Sequence, residues 1–273
     1  METIRNIKIP ARAPITLMAH LVAGYPTDDA AFEAARALVR GGASILEIQL
    51  PFSDPSADGP AIQSACASVL RRGYKTADGF KLIDRIRTAF PDVPVFVMTY
   101  ASLAYAPGIE TFVRRAAEAG VAGIIVPDLP FDADEGLAEA CRRNGLHMIP
   151  VAAPSMSPHR LSQLARAGFP YLYAALRAGI TGEKTVIGSG TVDFIRNVSA
   201  GGSAVFGGFG IETGEQAAAL APTVAAVVAG SVFVRTIAAC TASGGTDAMA
   251  ALNAAVSAKA RELSGQAPEH KRQ

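Results

Sequence analysis

Short apolar runs rich in β-branched residues alternate along the whole chain with longer stretches in which apolar positions recur every three or four residues. The first pattern suits a strand buried on both faces, the second an amphipathic helix. The runs ITLMAHLVA (15–23), SILEIQL (44–50), VPVFVMTY (93–100), VAGIIVPD (121–128), LHMIPVA (146–152), PYLYAAL (170–176), SAVFGGFG (203–210) and TVAAVVAGS (223–231) predict eight strands. Between them lie helical stretches. DDAAFEAARALVRGG ends in glycine, a common helix stop. Two helices, GPAIQSACASVLRRG and TADGFKLIDRIRTAF, follow the second strand. IETFVRRAAEAG, ADEGLAEACRRNG, SPHRLSQLARAG, GTVDFIRNVSAGG, TGEQAAALA and VFVRTIAAC come next, and a last helix is expected over residues 245–264.

Strand–helix units in series call for parallel strands joined by helical crossovers. Eight such units in a chain of 273 residues match the count and length of a single-domain (β/α)8 TIM barrel. An open doubly wound sheet is the alternative, and the lack of a break to a second domain weighs against it. The expected domain covers residues 1–265, with an extra helix after strand 2 and a short helix after strand 8. The remainder, 266–273, is polar and expected to be disordered.

Alternate strand residues share a face. In the second strand Leu46, Ile48 and Leu50 share one, and Ile45, Glu47 and Gln49 the other. The outside of a barrel strand lies under helices and takes Leu and Ile. Glu47 therefore points inward, near the C-terminal end of its strand, where these barrels place their active sites. A carboxyl group in that partly dry mouth is suited to proton transfer; the plain alternative is an internal acid bonded to neighbouring strands. Asp54 and Asp58 follow on the loop PFSDPSADGP. Either alone is an ordinary turn aspartate, and Asp58 is placed to cap the next helix. With Glu47 they make a candidate acid/base set.

Glycine-bearing segments follow the sixth, seventh and eighth strands: RAGITGEKT (177–185), GGFGIET (207–213) and AGSVFVRTI (229–237). Barrel enzymes often hold a phosphate there, on backbone N–H groups and a helix N-terminus. Ser231 fits as both N-cap and phosphate donor, and the sixth-strand loop is long enough for a lid.

Composition narrows the rest. Half of the residues are apolar, enough for one sizeable core. The net charge of +1, from 25 basic and 24 acidic residues, provides no basic field for nucleic acid. Cys66, Cys141 and Cys240 are far apart and form no metal pattern, so free thiols in a reducing compartment are expected. No signal-type segment is evident, and no apolar run approaches the ~20 residues that span a bilayer. A soluble, cytoplasmic protein is expected.

LEIQLPFSDPSADGP (46–60) resembles the signature of the tryptophan synthase α-subunit family, ELG-[VIM]-PFSDP-x-ADGP. LVAGYPT, IIVPDLP, ITG, GGFGI and AGS follow the family's order, over about residues 15–240. The resemblance implies a TIM barrel that cleaves indole-3-glycerol phosphate to indole and glyceraldehyde 3-phosphate without cofactor or metal. The partner it implies is a β subunit, in an αββα complex. Glu47 matches the family's catalytic glutamate, at indole C3, and Asp58 the aspartate at the indole N–H. Tyr173, Tyr100, Thr181, Phe209 and His20 fall at substrate-binding positions, and Gly182, Gly210, Gly230 and Ser231 at phosphate contacts. Arg177 belongs to the lid loop, whose threonine, Thr181, is expected to reach Asp58. Asp54 matches a residue of the β-subunit contact.

Three positions depart from the family. Gln49 replaces a glycine and is expected to crowd the mouth or bond Glu47. His20 stands where a phenylalanine commonly lines the indole pocket, and Ser102 where an asparagine is common. A stand-alone lyase, a weakly catalytic allosteric partner of a β subunit, and a different phosphate-binding barrel remain as alternatives.

Overall fold

The computed structural model describes residues 6–176, 187–241 and 247–267. The order is β1 (Leu17–Val22), α1 (Asp28–Arg40), β2 (Ala43–Gln49), α2 (Pro60–Arg71), α3 (Thr76–Ala89), β3 (Val95–Met98), α4 (Ala101–Tyr105), α5 (Ile109–Glu118), β4 (Gly123–Ile125), α6 (Leu137–Arg143), β5 (His147–Ile149), β6 (Val151–Ala152), α7 (Pro158–Arg166), β7 (Tyr171–Ala175), α8 (Ser189–Ser199), β8 (Ala204–Gly208), α9 (Gly214–Leu220), β9 (Ala226–Ala229), α10 (Ser231–Thr241) and α11 (Ala248–Leu263).

All strand pairs are parallel, in the order β5-β4-β3-β2-β1-β9-β8-β7-β6. The two ends of that order meet at Pro150, which alone separates β5 from β6. They are halves of one barrel strand. Proline has no N–H to donate, and it breaks the ladder where it sits. Its carbonyl still accepts from the Tyr173 N–H at 2.9 Å. The eight expected strands are thus present, the fifth in two pieces, and the barrel closes.

Local chemistry explains the helix ends. Thr27 caps α1 by accepting from the Ala30 N–H at 3.2 Å, with Asp28 and Asp29 in the first turn, where the helix dipole favours negative charge. Pro60 opens α2 at a position where a missing N–H costs nothing. Thr213 and Gln216 form a capping box at α9. The five-residue α4 was not foreseen; it lies between the third strand and the expected helix, now α5.

Two apolar layers result. Leu46, Ile48 and Leu50 face the helices in the larger cluster. Met18, Ile45, Phe96, Ile149, Tyr171 and Phe206 fill the barrel interior. The N-terminal ends of the strands are stoppered. Ile7 and Ile9 pack on the interior cluster, and the Ile7 N–H donates to the Tyr171 hydroxyl at 2.9 Å. Gln266 is tied back by its Nε2, which donates to the Arg12 carbonyl at 3.0 Å. No helix of the described residues is long and apolar enough to cross a membrane.

Candidate active site

A cavity opens at the C-terminal ends of the strands. Glu47, His20, Asp58, Tyr173, Phe209, Gly210, Gly230 and Ser231 all line it, with Met98, Ile125, Val151, Val228 and Ile62 as apolar walls. The walls went unnamed in the sequence reading. Their signal was the inward alternation already used for Glu47.

Glu47 is 3 % exposed and lies opposite His20 in the β1–β2 register. Direct opposition across a parallel pair brings His20 Nδ1 to 3.2 Å from Glu47 Oε1. Burial works against the charged form of His20. The Glu47 carboxylate and its hydrogen bond, with Asp58 and Gln49, outweigh that and raise the histidine above its ordinary 6.5. His20 Nε2 and Glu47 Oε2 are buried without a hydrogen-bond partner among the described residues.

Asp58 does not cap α2. Gly59 holds that position, without a side-chain cap bond. The carboxylate instead turns inward, where Oδ2 accepts from Gln49 Nε2 and from the Tyr100 hydroxyl, each at 2.7 Å. Gln49 therefore bonds Asp58 and not Glu47, contrary to expectation. Desolvation raises the Asp58 pKa above 3.8, while His20, Tyr100 and Gln49 pull it partly back. Tyr100 is fully buried and reaches the site through Asp58 instead of lining the cavity. Its hydroxyl accepts from the Ala57 N–H at 3.1 Å, and its ring stacks on Phe52 at 5.0 Å. The loop carrying Asp58 is pinned from beneath by this one tyrosine. Asp54, on the same loop, is exposed and accepts from the Ser53 hydroxyl.

Also lining the cavity, Phe209 has φ +95°, a conformation that costs a bulky residue energy. Its ring meets Tyr173 edge-on at 6.3 Å. Gly210 follows with φ +81°. Ser231 is the first residue of α10; the Gly230 carbonyl accepts the first helical bonds, from Phe233 at 2.8 Å and Val234 at 3.3 Å. The cap is thus Gly230 and not Ser231, and the leading N–H groups of α10 have no helical acceptor. Gly230 and Ser231, at this helix start, line the cavity with Gly210, an arrangement that suits an anion.

Thr181, Gly182 and Arg177 lie outside the described residues. Cys66 and Cys141 are buried free thiols, each pushed up to about 12 by burial, and Cys240 is partly exposed and free. Among the described residues no group of three or more His, Cys, Asp or Glu side chains is arranged to hold a metal ion.

The sequence model of the family described as Tryptophan synthase alpha chain matches residues 8–264. A Tryptophan synthase alpha chain from Helicobacter hepaticus is 40 % identical over 227 residues, covering 81 % of this chain and 85 % of the relative. This chain belongs to the tryptophan synthase alpha chain family. The Methanosarcina mazei member is 37 % identical, covering 90 % of this chain and 87 % of its own. Among solved structures, Mycobacterium tuberculosis tryptophan synthase is similar with a TM-score of 0.79 at 31 % identity, covering 92 % of both chains. The tryptophan synthase complex of Pyrococcus furiosus gives 0.81 at 27 % identity, covering 93 % of this chain and 99 % of that one. Tryptophan synthase alpha chains are lyases of tryptophan biosynthesis, and this chain carries the α-subunit function on a TIM barrel.

Proposed function

We propose that this chain cleaves indole-3-glycerol phosphate to indole and glyceraldehyde 3-phosphate by a retro-aldol step. One observation carries the reading: two buried carboxyl groups, Glu47 and Asp58, line one cavity in different settings, and an anion-suited helix start lines it too.

The phosphate is placed at Gly210, Gly230 and Ser231, where backbone N–H groups and the α10 dipole meet negative charge. The indole ring is placed among Met98, Ile125, Val151 and Phe209. Asp58, whose raised pKa makes it a stronger base than an ordinary aspartate, takes the N1 proton. Glu47 gives a proton to C3, and the ring becomes its indolenine tautomer. The freed Glu47 carboxylate then takes the proton of the C1′ hydroxyl. As the C1′–O bond becomes a carbonyl, the C3–C1′ bond breaks and its electron pair restores C2=C3. The C2=N1 pair returns to N1, which recovers its proton from Asp58. One proton has moved from oxygen to carbon, and nothing is oxidised or reduced. Two carboxyls in unlike surroundings divide the acid and base work.

The second part of the proposal is the partner. The similar Pyrococcus furiosus structure is of a tryptophan synthase complex, and Asp54 stands exposed on the loop that carries Asp58. We place a β subunit there, in an αββα assembly that receives the indole, and the protein in the cytoplasm.

The test is release of indole and glyceraldehyde 3-phosphate from purified indole-3-glycerol phosphate. Wild-type chain is expected to turn over. Glu47→Gln keeps the shape of the side chain and loses its acid, so activity falls by at least about 10²-fold with an unchanged circular dichroism spectrum. Turnover near the wild-type rate in that variant would remove Glu47 from the mechanism.

A further inference from the structure

Two buried ionisable side chains of the cavity, His20 and Tyr173, have no task in the mechanism above, and of these His20 is ion-paired with one of its carboxyl groups. His20 touches Glu47 at 3.2 Å, is 4 % exposed, and lines the same cavity. Placing it there is costly. A histidine at a mostly apolar wall must be desolvated, and a buried ion pair returns that cost only when its remaining atoms are also satisfied. Here they are not: Nε2 of His20 and Oε2 of Glu47 both stay without a partner among the described residues. Each residue of the pair therefore has one atom engaged with the other and one atom left for something else.

We propose that His20 is a positioning residue for Glu47: Nδ1–H holds Oε1, so that Oε2 alone is left to work, and Nε2 stores the proton that Oε2 delivers. The inference rests on the reading of Glu47 as the C3 acid.

The bookkeeping of protons is simple. In the resting pair the imidazolium carries hydrogens on Nδ1 and Nε2, and Glu47 is a carboxylate. Both atoms are buried from bulk solvent, so in the proposal the Nε2 proton passes to Oε2 by a water admitted to the cavity between them. The result is a neutral imidazole, still donating from Nδ1, beside a neutral carboxyl whose O–H is on Oε2. That O–H protonates C3. When the same oxygen later takes the C1′ hydroxyl proton, the pair is refilled. No proton is gained or lost over the cycle.

The geometry around His20 supports a fixed ring. A Cβ at Gly230 would lie 3.3 Å from both Cβ and Cγ of His20, so the glycine lets the ring lie against the start of α10. Among the described residues the ionisable groups set against it are Glu47 from β2 and Asp58 from the following loop; Tyr173 of β7, Val228 of β9 and, beyond β9, Gly230 and Ser231 share the cavity. Both carboxylates favour the imidazolium, and Gln49 adds to them. The positive charge thus persists above 6.5, and it is lost as the pH rises through the higher value in the folded protein.

Two substitutions separate holding from storing. His20→Gln keeps a donor for Oε1 and stores no proton; His20→Phe does neither. Turnover is read against pH for the full chain, with the imidazole titrations followed by NMR. Wild-type kcat is expected to fall on an acid limb, as Asp58 is protonated, and on an alkaline limb above 6.5, as His20 loses its charge. In both variants the alkaline limb moves to lower pH by about one unit or more, and kcat near pH 8 falls about tenfold while KM changes less than about threefold. His20→Gln retains more activity than His20→Phe at neutral pH. The His20 imidazole titrates above 6.5 in wild type and moves down in Glu47→Gln. Variants that keep the wild-type alkaline limb would overturn the storage role, and a His20 titration indifferent to Glu47→Gln would overturn the pairing. Absence of indole release from wild type, with the coupled titration present, would defeat the cleavage reading alone and leave the pairing standing.

Discussion

Asp58 shows how one residue's surroundings set a measurable pH dependence. Its pKa lies above 3.8 in the folded protein, chiefly through burial. The folded state therefore binds this proton more tightly than the unfolded chain does. The stability that goes with it is complete in acid and is lost as the pH rises from 3.8 through the folded value. Asparagine has no such proton, and its Oδ1 can accept from Gln49 and Tyr100 as Oδ2 does. Asp58→Asn is expected to abolish turnover and to gain in Tm over wild type between about pH 4 and about pH 7. A Tm difference that stays flat across that range would contradict the raised pKa. At this scale the sequence was only partly legible. The inward direction of Glu47 follows from alternation within its own strand. Its contact with His20 does not, because the pairing of residues on different strands depends on how the barrel staggers them, and no local pattern records that stagger. Of the two expectations for Gln49, the bond to Glu47 is not the one made: its amide donates to Asp58, on a loop nine positions away whose path no strand alternation records.

The elements were predicted in kind and order but too long. The third strand was expected over 93–100 and is Val95–Met98; the fourth over 121–128 and is Gly123–Ile125. Residues such as Tyr100, Val126 and Leu176 lie beyond the strand ends and are nonetheless buried. An apolar run reports burial, whereas a strand ends where its ladder ends. Helix packing was beyond the pattern altogether. Gly201, just after α8, sits so close to α7 that a Cβ there would lie 1.7 Å from the Ala165 carbonyl oxygen. Backbone cannot yield as a flexible side chain does. Gly201→Ala is expected to lower stability by about 1–3 kcal/mol, seen as a lower denaturant midpoint, with the folded fraction fully active. An unchanged midpoint would show that α7 and α8 can part without cost.

On the scale of the molecule the fold class was legible because eight similar units in series leave few topologies open. The division into a catalytic mouth and a stability end follows from it. What the mouth meets is the remaining question. Asp54 is solvent-exposed and, among the described residues, its side chain bonds locally to Ser53, so its loss should leave the barrel and its cavity as they are. Asp54→Ala is expected to cut stimulation of turnover by a β subunit and its co-purification, while turnover of the isolated chain changes by less than about twofold. Equal stimulation of wild type and variant would move the contact elsewhere.

The side chains that fill the barrel interior, with Ile7 and Ile9 packed beneath them, make this barrel a cup and not a tube. A tube drains from both ends, so a guest can enter at one while solvent leaves by the other. In a cup, arriving substrate and departing water share a single rim. The ring system that seats first must let water escape past its own phosphate tail, and the tail then closes the exit behind it. Drying of the two carboxyls becomes an automatic result of filling, timed to the last part of the ligand to land.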